Sequence, residues 1–325
     1  MINGIIPLHK DSRNCYEDVF VTICSWFKRR YEYMYKNSWA FHYETNEGSK
    51  TTSLGKNLEY NNSKQFAILS EYSGIGISYH QNEDLNKGLE DIKSKLNSNT
   101  VVALNNMDMF WLPWTSSYQS AHGGHTFIIT GFGESASSLF CLDPYLQMEN
   151  LELSIDEYSK SSSGNYILFS IVGEEKKDFN VNYIVNRAAN KVLEYKKSGN
   201  SFDQMRNFAD DIELNYNSKK EMEGYQDFFS VPIYSTIQAI ARGRKQFAEL
   251  LRFLAEMSPK KELLESYSTM FDSMGKKWDG IKILFGKEVI LSNYTIVKNK
   301  VPNKIREIAD YEEGIARELQ KIDFN

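Results

Sequence analysis

The sequence predicts an α+β half followed by an α-helical half, on three observations. Up to about residue 175, apolar residues fall in short runs separated by Gly/Ser turns and interleaved with helical stretches; beyond it they recur at helical spacing almost to the end of the chain. Every histidine and cysteine precedes residue 142: His9, His42, His80, His122 and His125, with Cys15, Cys24 and Cys141. Charge changes at the same place, from 15 basic and 22 acidic residues up to Phe179 to 23 and 21 from Asn180 onward. The seam is the polar stretch 173–178, which divides residues 1–175 from residues 176–325.

In chain order, a first helix is predicted over 15–35 and a second over 82–96, then strands over 100–104, 126–132, 139–142 and 166–172. A short turn over 133–138 joins the second and third strands into an antiparallel hairpin. After the seam, helices are predicted over 183–197, 202–214, 233–257, 260–277 and 304–322, with Pro232, Pro259 and Pro302 at their starts. The 233–257 helix carries Phe247, Leu250, Leu251, Phe253 and Leu254, more than one narrow stripe holds, so it is expected to be buried between partners.

Composition excludes several function classes. Of 325 residues, 41% are hydrophobic and 14% aromatic, which describes a folded chain. No apolar run approaches the roughly 20 residues of a spanning helix, and the N-terminus lacks the pattern of a secretory signal, so a cytoplasmic protein away from membranes is expected. A net charge of -5 gives no basic field for nucleic acid. Three cysteines fit a reducing compartment. Gly74 to Ser78 lacks the third glycine of a dinucleotide fingerprint, no phosphate-binding GxxxxGK[ST] occurs, and His122, His125 and Cys141 lack the spacing of a zinc site.

The chemistry is expected in three places. Asp11, Ser12 or Asn14 caps the first helix, which puts Cys15 in its first turn, where unpaired N–H groups and the positive dipole end favour a thiolate and an oxyanion. Cys24, nine residues on, points to the opposite side and reads as a buried hydrophobe. His125 stands after two glycines at the entrance to a strand, and Asp143 at the exit of the next, so the hairpin brings imidazole and carboxylate together. A base oriented by a carboxylate beside a first-turn cysteine is a nucleophilic triad. His122 competes for the base role, but only His125 directly abuts the apolar strand. Trp111, Trp114 and Tyr118 read either as core and rim or as the wall of an acyl or amine pocket. Lys28, Arg29 and Arg30 read as cations at the helix C-terminus.

This order of Cys at an N-terminal helix, strand-initiating His and Asp-Pro after the next strand is similar to the papain-like C39-type cysteine peptidases. It resembles more closely the butirosin biosynthesis protein H N-terminal domain family, which moves acyl groups from carrier proteins to aminoglycosides. The resemblance runs from about Asn14 to Ser170. It rests on the Cys15 segment, on Val101 to Leu104 followed by Asp108 and Trp111-Leu112-Pro113-Trp114, and on His125, Gly131-Phe132 and Asp143-Pro144. The chain departs from the pattern in three places. Tyr16 replaces a Gly after the nucleophile, His9 stands six residues before it in place of Gln, and Asn14 precedes it in place of His, so the resemblance assigns no oxyanion donor. It implies a papain-like catalytic domain followed by a helical domain, with Cys15, His125 and Asp143 as the catalytic residues. The implied activity is acyl transfer from an acyl or peptidyl carrier protein, through a cysteine thioester, to a small-molecule amine in secondary-metabolite biosynthesis. No cofactor of its own is expected, since the phosphopantetheine belongs to the carrier. The alternatives are a hydrolase or peptidase with the same triad and a catalytically silent binding module. The helical half is expected to serve docking, acceptor binding or homodimerisation.

Overall fold

Asn14 opens the first helix by a reciprocal cap: its side chain accepts the Glu17 N–H at 2.8 Å while the Glu17 carboxylate accepts the Asn14 N–H at 3.0 Å. The helix, α1 (Cys15–Trp26), ends sooner than its sequence predicts. Lys28 takes a left-handed φ of 56°, and the Lys28 and Arg29 N–H groups turn back to the carbonyls of Ser25 and Cys24, the bonding of a Schellman stop. The structure is a computed structural model and describes residues 2–45, 53–60, 65–133, 137–292 and 295–324. The tip of the expected 133–138 turn, at 134–136, lies outside the described residues.

A two-residue strand pair follows, β1 (His42–Tyr43) with β2 (Leu58–Glu59), then α2 (Gln65–Ser73), β3 (Ile75–Gln81), α3 (Leu85–Asn97) and β4 (Val101–Asp108). Next come β5 (Gly124–Phe132), β6 (Ser138–Asp143), β7 (Met148–Ser154), α4 (Ile155–Ser161) and β8 (Asn165–Ile171). The long strands form one antiparallel sheet in the order β3-β8-β4-β5-β6-β7. Its middle is buried on both faces: Val101 to Leu104, Phe127 to Ile129 and Ile167 to Phe169 are all in the core, with Phe20 of α1 against Phe169. The edge strands β3 and β7, which the sequence reading passed over, are polar and largely exposed, so they lack the apolar run that marked the central four.

The rest is helical: α5 (Val181–Leu193), α6 (Ser201–Asn215), α7 (Ser218–Met222), α8 (Pro232–Ala255), α9 (Lys261–Ile290) and α10 (Ile296–Leu319). The expected start at Pro302 is corrected. Pro302 lies buried inside α10, which begins six residues earlier because the Glu288 carboxylate of α9 accepts the Val297 N–H at 2.7 Å. That acceptor lies nine residues back, on the preceding helix, so the first turn of α10 carries no cap signal of its own. Likewise α9 runs past 277, because Trp278, Ile281 and Phe285 continue its buried stripe through Gly280.

The chain forms two units: Met1–Met34 with Phe66–Lys177, and Tyr35–Gln65 with Asp178–Asn325. The division expected at 175/176 therefore misses two further crossings. Residues 35–65 join the helical unit because their aromatics fill its core. Trp39 packs on Phe247 and Phe271, Phe41 on Trp278, and Tyr43 on Phe208 with its hydroxyl on Asp211. His42, expected with the other reactive residues, bonds Gln204 of α6 instead. At the centre of this unit Arg244 forks onto Glu312 at 3.0 and 2.9 Å and reaches the Ala40 carbonyl, and Trp39 donates to the same carboxylate.

Candidate active site

The hairpin register explains why His125 and Asp143 meet. Ile128 pairs with Leu142, which sets Asp143 opposite Phe127 and diagonal to His125 on the same face. His125 Nε2 and Asp143 Oδ2 are 2.6 Å apart, and both side chains are out of solvent, 4% and 0% exposed. A bulge aims the histidine. Leu104 pairs with Phe127 but Met107 with His125, so β4 carries one residue more than β5, and Asn106 absorbs it at a φ of 56°. Gly124, the residue before His125, lies against the bulge: a Cβ there would come 2.3 Å from Oδ1 at the end of the Asn106 side chain.

Cys15 occupies the first position of α1, near enough to the His125 ring to raise its proton affinity. With Nε2 held by Asp143, Nδ1 is the nitrogen left for the thiol. Burial alone would pull His125 down; its hydrogen bond to the Asp143 carboxylate and the influence of Cys15 outweigh it and hold the imidazole up at about 9. The other two thiols are inert by comparison, because burial pushes Cys24 and Cys141 far above the ordinary cysteine range. The three residues named from the sequence thus stand in one line of contacts: thiol, imidazole, carboxylate.

No family model and no curated protein matches this chain.

His122 is not part of that line. Its ring is 73% exposed, stacks on Phe110 and bonds Asp108 at 2.7 Å. Burial would raise the Asp108 carboxyl, but that bond and the N–H groups of Phe110 and Gly123 hold it below the usual range. Among the described residues no group of three or more His, Cys, Asp or Glu is placed to hold a metal ion.

Two participants were not assigned from the sequence. Trp114 donates its indole N–H to Asp143 Oδ2 at 3.0 Å, and the Leu146 N–H serves Oδ1 at 3.2 Å, so the carboxylate that orients His125 is itself oriented by two donors. The aromatic string before the histidines had offered the signal without saying which ring mattered; Trp111 lies under Lys160 and Tyr118 reaches Glu157. The second participant is His9. Its Nδ1 lies 2.6 Å from Asp18 Oδ2, while Arg13 Nε takes Asp18 Oδ1 at 2.7 Å. Burial keeps the Asp18 carboxyl above its usual range although both partners pull it down. Asp18 is three residues after Cys15, on the same side of α1. The His9 and His125 rings both stand edge-on to Tyr145, at 4.9 and 6.1 Å.

Proposed function

We propose that this chain is a cysteine acyltransferase with a papain-like catalytic unit, accepting an acyl group from a carrier-protein thioester and passing it to an amine. The observation that carries the reading is the line from a partly exposed Cys15 at a helix N-terminus to the buried His125–Asp143 pair. In the first step the Cys15 sulfur attacks the donor carbonyl, and the proton that Cys15 and His125 share leaves with the carrier thiol. The acyl group then waits on Cys15 as a thioester of nearly the same free energy, so the site has only to admit the right acceptor and keep water away. The α1 N–H groups, with Cys15 in the first turn, are available to the oxyanion. His125 takes a proton from the acceptor as the thiolate leaves, with Asp143 holding its tautomer.

The test is intact mass spectrometry with a panel of acylated carrier proteins. A stable acyl adduct on Cys15, lost on adding an amine with formation of the amide, supports the reading. Release of free acid alone makes the chain a hydrolase with the same triad, and no adduct makes it a binding module.

A further inference from the structure

On the reading that the acceptor is an amine, we infer that His9, held by Asp18, is a second base of the site, which removes the ammonium proton from the acceptor. The proton count requires one. A primary amine reaches the enzyme largely as an ammonium ion, and becoming an amide costs it two protons. As the C–N bond forms and the C–S bond breaks, one proton returns to the Cys15–His125 pair, which gave its own to the departing carrier thiol. The other must go elsewhere before the nitrogen has a lone pair to attack with. Water as acceptor needs no such help, because it attacks uncharged and gives up a single proton to His125 in the same step.

His9 is built for that second proton. Its Nδ1 is fixed on the buried Asp18 carboxylate, whose other oxygen is taken by Arg13. An imidazole that donates through Nδ1 has Nε2 as the nitrogen that can take up a proton. The anchor lies one helical turn from Cys15 on α1, and Tyr145 touches both rings, so His9 stands one aromatic ring away from His125. The Asp11 carboxylate, 98% exposed, stands 3.8 Å from Nε2 and draws a cation to that side.

The inference is tested in the full chain with His9→Asn, which keeps an N–H donor for Asp18. Three rates are compared with wild type: acylation of Cys15 by an acyl carrier protein, transfer to ethanolamine, and transfer to hydroxylamine, which is uncharged at neutral pH. Acylation and hydroxylamine transfer should stay within about 2-fold, while ethanolamine transfer falls roughly 10²-fold, the lower end of what a general base contributes. A misfolded or loosened site would instead lower all three. Equal loss for both amines, or none for ethanolamine, overturns the inference while leaving the acyl-enzyme intact. Failure of Cys15 to acylate in the wild type overturns the functional reading and this inference with it.

Discussion

Asp143 receives three donors, from His125, Trp114 and the Leu146 backbone, and has no solvent of its own. Three donors fix the carboxylate in place, which is what an imidazole needs to be held in one tautomer. Replacing His125 by Ala should cost the most, several powers of ten in rate, and Asp143→Asn roughly 10²- to 10⁴-fold; His122→Ala, outside the contact line, should keep most activity. Equal damage from His122 and His125 would displace the base assignment. Iodoacetamide at pH 7 should modify Cys15 well before Cys24 or Cys141, which peptide mapping reads directly. The imidazole also predicts a pH signature. A histidine raised on folding stabilises the fold fully below its ordinary value of 6.5 and loses that contribution as pH climbs through about 9. Denaturant titrations of the wild type should therefore lose stability across that window, and Asp143→Asn, which removes the largest raising influence, should flatten the curve there.

At the scale of elements, the site depends on one cap and one bulge. Asn14→Ala removes half of the reciprocal cap of α1 and should destabilise the protein by about 1 kcal/mol, measured by denaturant midpoint. The bulge is the sharper case. Gly124→Ala sets a methyl group against the Asn106 side-chain oxygen, so that amide must turn aside and a modest fall in activity is expected; Asn106→Gly in the same chain removes the amide and keeps the left-handed φ, and should restore it. No recovery would mean that Gly124 serves something other than this close approach. The cap was readable as one of three residues, Asp11, Ser12 or Asn14; Glu17, which completes it, was not singled out. His125 and Asp143 were readable because strand ends in a hairpin are neighbours whatever the register. The bulge was not, since Asn105-Asn106 looks like ordinary polar sequence until β5 pairs against it, and neither was Trp114, one ring among several. His9 was noted only for its distance from Cys15, and Asp18, which fixes it, was not singled out.

For the whole molecule, residues 35–65 decide how the chain can be divided. Composition placed a seam at 175/176, and the chain does pass from one unit to the other at Lys177, but charge and histidine counts are blind to where an aromatic side chain is buried. Trp39, Phe41 and Tyr43 lie early in the sequence yet complete a core made by α6, α8 and α9, and the Arg244–Glu312 pair at its centre uses Trp39 and Ala40 as further partners. A chain ending at Lys177 would strand those rings in water, exposing apolar surface of the kind that drives aggregation. It should be largely insoluble, and supplying residues 178–325 as a second polypeptide should rescue it by giving residues 35–65 their partners. Within the intact chain, Glu312→Gln leaves the Arg244 guanidinium buried against a neutral group and should cost roughly 3–5 kcal/mol, the range for breaking one side of a buried pair. Hydrogen exchange locates that loss: protection should drop in residues 39–43 together with α6, α8 and α10. If instead the truncated chain is soluble, unfolds cooperatively and keeps residues 39–43 protected, those rings have found another core and the two-unit division is wrong.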